Sequence, residues 1–172
     1  MSADTLRAVR TVSSVDPADF RHACRTHAAG VVILTVACPD GPVGFTASSF
    51  AGVSAEPPLV SFNIGKASSS LKAVLAADVA CIHLLGADDA DLALRFAGPA
   101  HRRFDSTNWS HGPYGEPRLA AGRAHLVVAP RQFVDAGDHL MAIADLVEVD
   151  DRDQDQAPLV HSGGGFHRAE RL

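Results

Sequence analysis

"GFTASSFAGVSAEPPLVSFNIGKASSS" runs from residue 44 to residue 70. From Val43 to Ile64 the chain is rich in β-formers, yet it carries Thr46, Ser48, Ser49, Ser61 and Asn63. A buried hydroxyl or amide without a hydrogen bond costs roughly 1–3 kcal/mol on mutational scales, so each of these groups needs a partner. Neighbouring backbone at a strand end is one source of partners. A ligand is the other. The polar groups fall on two consecutive strands and continue into Ser68, Ser69 and Ser70 at an expected helix start. One serine suffices as an N-cap. Further hydroxyls beside free helix N–H groups form an anion site. A polar strand surface next to such a helix end suits a ligand that has a hydrogen-bonding ring and a phosphate. Ordinary caps and strand-end bonds are the alternative.

Outward from this stretch the chain reads as mainly β. Asp16 followed by Pro17 is a helix start, and "DPADFRHACRTHAAG" places Phe20, Ala23, Cys24 and His27 along one face before Gly30 stops it. "GVVILTVAC" is a buried strand, and "PDG" at 39 to 41 is a turn. "PVGFTASSFAGVS" reads as a second strand, bulged near Gly52, and "LVSFNI" as a third. "SSSLKAVLAAD" is a serine-capped helix, "VACIHLLG" a fourth strand, and "DDADLALRFAG" a helix with acids in its first turn. Residues 98 to 118 read as an excursion loop. Strands resume at "RAHLVVAPRQFV" and "HLMAIADLVEVD", and "APLVHSGGGFHRAERL" closes with a short strand and a Gly-rich bend. Six or so strands with two or three helices are expected, and closure into a small barrel would remove exposed edges. Residues 1–15 read as a polar tail and 16–172 as one domain.

Composition narrows the function. The 172 residues suit one domain with a real core. A net charge of −5 without a basic stripe argues against nucleic acid. No apolar run is long enough to span a bilayer, and no secretory h-region is visible. Three scattered cysteines form no CxxC pair, which points to a reducing cytoplasm. No GxxxxGK[ST], GxGxxG, HExxH or GxSxG occurs. His22 with His27 and His161 with His167 do not match a common zinc spacing, so no metal site is expected.

The pattern "GFTASSF…SAEPPLVSFNI…SSS", with "LALRFAG", "RRF" at 102–104 and "AGDH" at 136–139 following in order, resembles the short-chain flavin reductases. These are FMN-binding split-barrel proteins, the reductase components of two-component flavin-dependent monooxygenases. The resemblance covers roughly residues 17 to 168. It implies a six-stranded Greek-key split barrel with a few peripheral helices, acting as a homodimer with flavin sites near the interface. It implies that Thr46, Ala47, Ser48 and Ser49 face the isoalloxazine and ribityl chain, that Asn63 lies near the same ligand, and that Ser69 and Ser70 approach the phosphate. It places His139 beside the nicotinamide as the catalytic candidate, and adds Arg103, Phe104 and Phe166 to the cofactor-binding set. The closing segment here reads "HSGGGFHR", with an extra glycine and Phe166 where the family has tyrosine. Arg102 and Arg103 are equally readable as phosphate or adenine contacts and as a solvated loop. The implied activity is NAD(P)H-dependent reduction of free FAD or FMN, with NADH preferred, and delivery of reduced flavin to a monooxygenase in aromatic or secondary-metabolite oxidation. A non-catalytic flavin- or haem-binding split barrel is the competing reading, and an unrelated β-barrel interaction module is a third.

Overall fold

A computed structural model describes residues 14–153 and 155–170. Most of the expected N-terminal tail therefore lies outside the described residues. Among the described residues, twelve strands, three α-helices and two short 3₁₀ turns follow in this order. Helix α1 (Pro17–Cys24) opens the described chain. Strands β1 (Ala29–Gly30), β2 (Val32–Val36), β3 (Val43–Ala47), β4 (Ala51–Ala55) and β5 (Pro58–Gly65) come next. Helix α2 (Leu71–Ala76), β6 (Ala80–Leu84) and α3 (Ala90–Ala97) precede a short hairpin, β7 (Trp109–His111) and β8 (Pro117–Leu119). Two long strands, β9 (Ala124–Ala136) and β10 (His139–Asp151), and a final hairpin, β11 (Leu159–Ser162) and β12 (Gly165–Arg168), complete it.

Seven strands form one antiparallel sheet in the order β3-β2-β6-β9-β10-β5-β4. Its edge strands β3 and β4 are joined by residues 48–50 alone. Four Cα steps span at most roughly 14 Å. A flat sheet of this size would hold its edges about 29 Å apart. The sheet must therefore curl until its edges approach, without the ladder closing. That is a split barrel, with seven strands in the main sheet where about six were expected. The 42–54 segment is thus two strands on opposite edges, not one. The expected irregularity is real: the β4–β5 register slips between Gly52 and Ser54. The 98–118 excursion also holds the β7–β8 hairpin.

β2 is buried along its whole length because both of its faces are covered. Val32, Leu34 and Val36 point into the barrel core with Phe62, Ile64, Ile82 and Val128. Val31 and Ile33 join a second core with Phe96 of α3, Leu119 and Leu159. Gly44 lies where β3 passes under α3. A Cβ there would fall 2.8 Å from the Phe96 ring and 2.9 Å from the Leu34 carbonyl. On β6, opposite Ile33, buried His83 donates from Nδ1 to the Ile33 carbonyl at 3.0 Å. Its Nε2 accepts the Leu119 N–H, also at 3.0 Å.

Candidate functional site

The partners of the hydroxyls in 44–70 decide what that stretch is for. Thr46 donates to the Ala93 carbonyl at 2.7 Å and fastens β3 to α3. Ser49 Oγ accepts the Asn63 N–H at 2.9 Å and so clasps the β3–β4 corner to β5. These two are strand-end bonds within the protein. Ser48 is exposed, and no side-chain hydrogen bond ties it or the Asn63 amide to another described residue.

β3 is an edge strand, so one of its sides is unpaired by the sheet. The Gly44 carbonyl is on that side, since it accepts from Arg103 Nη1 at 2.8 Å. Main-chain groups alternate sides along an antiparallel strand, so those of Thr46 turn the same way. Beside this edge lies a cleft of about 570 Å³. Thr46, Ala47, Ser48 and Ser49 form one wall, and Asn63, Ile64 and Gly65 of β5 another. Ser68 ahead of α2, the tip of the β9–β10 hairpin, and Phe20 of α1 complete the lining.

His139 reaches the cleft through turn chemistry. Ala136 pairs with His139 across a two-residue Gly137-Asp138 turn. Gly137 takes φ +70°, and Asp138 is not in the left-handed region, the pattern of a type II′ turn. On β5, His139 pairs with Gly65 and Met141 with Asn63, so His139 and Asn63 share one face of the sheet. A Cβ on Gly65 would stand 3.6 Å from His139 Nε2, an ordinary contact distance, so the ring lies against Gly65. Asp138 Oδ1 is 2.7 Å from His139 Nδ1. That hydrogen bond, and then the charges of His139 and Arg21, hold the Asp138 carboxyl below the usual carboxylate range.

Not every expected site residue meets at this cleft. Ser69 is exposed just beyond its edge. Ser70 is fully buried and accepts from Arg103 Nη1 at 3.0 Å. Arg103 also donates to the Gly98 carbonyl at 2.9 Å. These two brace β3, α2 and the 98–103 loop. Phe104 packs edge-on against Phe96 with ring centres 5.0 Å apart, at the border of the second core. Phe166 packs against His161 on the same side. The sequence reading missed Phe20 and Ile64 as lining residues. Their apolar character signalled core or helix face, and only the topology places them here. Another cleft, of about 390 Å³, lies by Trp109, His125 and Arg152 at the far end of β10 and receives none of the expected residues. Among the described residues no three His, Cys, Asp or Glu converge to hold a metal.

A cleft of this size, with a hydroxyl-bearing wall, an unpaired strand edge and an aromatic side chain at its rim, fits a flat polar ring and a side chain ending in an anion. Residues 24–170 match the flavin reductase like domain family. The chain is 44% identical over 158 residues to an NADH:FMN oxidoreductase of Rhodococcus erythropolis, covering 90% of this chain and 82% of that one. It is 31% identical to HsaB of Rhodococcus jostii, a reductase subunit of a flavin-dependent monooxygenase, over 89% of this chain and 78% of that one. Among solved structures, a flavin reductase domain protein from Arthrobacter sp. FB24 superposes with a TM-score of 0.84 at 34% identity, covering 90% of this chain and 96% of that one. The NADH:FAD oxidoreductase SgcE6 of Streptomyces globisporus, in complex with NAD and FAD fragments, superposes with a TM-score of 0.82 at 30% identity, covering 92% and 98%.

Proposed function

This chain belongs to the flavin reductase like domain family, and on that premise we propose how its cleft performs the family's reaction. The chain is an NADH-dependent flavin oxidoreductase that supplies reduced flavin to a separate monooxygenase. The observation that carries the reading is the convergence of the Thr46–Ser49 wall, Asn63 and His139 on one cleft. The flavin bound here would accept a hydride from the dihydronicotinamide.

The protein's task is then to bind, align and desolvate. Thr46 to Ser49 and Asn63 hold the ring, and the outward main-chain groups of Thr46 offer hydrogen bonds to its polar edge. Donors placed before the reaction need no reorganisation during it. Aligning two rings face to face turns an encounter into a near-unimolecular step. Phe20, itself exposed, stands at the rim of the cleft as an apolar contact for the rings. Ser68 and Ser69 form the phosphate end. Ser70 and Arg103 act from behind by fixing β3 and α2, and Phe104 and Phe166 support the second core. Residues 16–172 work as one domain, a reading supported by a family match over 24–170. NADH is the reductant, supported by the names of the relatives, and the compartment is the cytoplasm. No described helix is long and apolar enough to cross a membrane.

Removing both Ser68 and Ser69 hydroxyls should weaken FMN binding several-fold and leave riboflavin, which has no phosphate, nearly unchanged. Fluorescence titration of Ser68→Ala with Ser69→Ala measures this. Equal losses for both ligands would move the phosphate elsewhere. Met141 is exposed on β10, on the sheet face that it shares with its partner Asn63. We take this sheet surface as the contact for a second copy of the chain. Sedimentation at twice the 18.0 kDa chain mass is expected, and a monomer at micromolar concentration would contradict it.

A further inference from the structure

Helix α1 has no buried residue, yet it is held at its end. The Arg25 carbonyl accepts the Gly163 N–H at 2.8 Å, and the Thr26 carbonyl accepts the Ser162 hydroxyl at 3.1 Å. These bonds tie the helix end to the β11–β12 turn. Alongside it lies a cleft of about 480 Å³, bordered by Arg21, Arg25, His27 and His161. Phe20 and Ser48 line this cleft and the flavin cleft alike, so the two form one groove with Phe20 as the ridge between them.

The groove is basic on a chain of net charge −5. Arg21 and Arg25 are exposed, and neither forms an ion pair among the described residues. A spacing of four puts both on one face of α1. Arg21 lies at the near end, where its charge is felt at Asp138 beside His139. Arg25 lies at the far end. Its Nη2 would stand 3.6 Å from a Cβ on Gly164, which places the guanidinium beside the β11–β12 turn.

The flavin phosphate is assigned to the Ser68 end of the first cleft, so the path over Phe20 and Ser48 remains for the rest of the reductant. A dinucleotide bound without a GxGxxG helix needs another source of positive charge. The guanidinium fork matches phosphate oxygens. We propose that Arg21 and Arg25 of α1 clamp the diphosphate of the nicotinamide dinucleotide, with its adenosine end in the groove beyond Phe20. This rests on the reading of the first cleft as the flavin and nicotinamide site.

The test is steady-state kinetics of the full chain carrying Arg21→Gln with Arg25→Gln, at saturating FMN. NADH is compared with dihydronicotinamide riboside, which has no phosphate. The expected KM for NADH rises about tenfold or more, the loss of one or two charge-assisted contacts at an exposed site. The kcat, the KM for FMN and the kinetics with the riboside should stay within about twofold of wild type. Arg21→Lys with Arg25→Lys should recover part of the loss, since charge is kept and the fork is not. An unchanged KM for NADH in an otherwise active pair of proteins overturns the clamp alone. An equal loss with the riboside also overturns it. A raised KM for FMN with NADH unaffected gives the arginines to the flavin. A wild type that oxidises neither reductant with any flavin removes the underlying reading, and the clamp with it.

Discussion

His139→Ala should lower kcat/KM for NADH by roughly five- to 150-fold, the equivalent of about 1–3 kcal/mol of lost transition-state stabilisation. FMN affinity and thermal stability should change little. The stability forecast follows from position: His139 is about half exposed, at 48% of its side-chain surface, and contributes nothing to either core. The kinetic forecast follows from orientation. The turn carboxylate of Asp138 engages Nδ1, and Nε2 stands over the bare Gly65 on the face that carries Asn63. The ring is thus aimed by a bond on one side and rests against Gly65 on the other. Asp138→Asn should have a smaller effect of the same kind, because the amide keeps a contact to Nδ1 and loses the charge. Unchanged NADH kinetics in folded His139→Ala would remove His139 from the reaction. A loss confined to flavin binding would move it to the other half of the site.

Stability should fall steeply on the acid side of neutrality, and His83 is the main reason. It is fully buried, and burial, followed by the nearby charge of His125, holds its pKa down to about 3, against 6.5 in an open chain. The structure shows why the neutral ring is required. Nδ1–H donates to Ile33, so Nε2 must accept from Leu119, and a proton on Nε2 would face an N–H. The folded state therefore binds fewer protons than the unfolded chain. Its advantage is complete above pH 6.5 and is lost as pH falls from 6.5 towards 3, at about 1.4 kcal/mol per pH unit once the unfolded imidazole is charged. His125, its ring centre 4.6 Å away and also lowered by burial, pushes in the same direction. Urea denaturation from pH 7 to pH 4.5 measures the slope. His83→Gln should be less stable at pH 7 and should show a flatter acid limb. Equal slopes for the two proteins would mean that other groups carry the acid sensitivity.

Much of the architecture was legible because local chemistry and tertiary role agree. Asp16 before Pro17 marks a helix start, and its Oδ1 does accept the Ala18 N–H, at 2.7 Å. The apolar run from Val31 to Val36 reads as buried because both of its faces are covered. "AGDH" reads as a turn before a strand because Gly137 supplies the positive φ there. The division of residues 42–54 was not legible. The β-prone pattern continues through Ser48 to Phe50, and only the curl of the sheet sends β3 and β4 to opposite edges. Ser68, Ser69 and Ser70 look alike in sequence, yet the start of α2 turns the first to the cleft, the second to solvent and the third into the core. Arg103 showed the same limit, since nothing local states that its guanidinium is spent on the Gly44 and Gly98 carbonyls. Nothing local singles out Arg21 and Arg25, because the groove beside them is built from segments more than 130 residues apart, α1 and the β11–β12 turn.

The most direct test of flavin reduction at this cleft is the initial rate of NADH oxidation by flavin-free protein, followed at 340 nm with and without added FMN. Rapid oxidation that requires FMN and saturates with it is the expected result. NADH oxidation at the same rate in the absence of flavin, or none in its presence, would contradict the account.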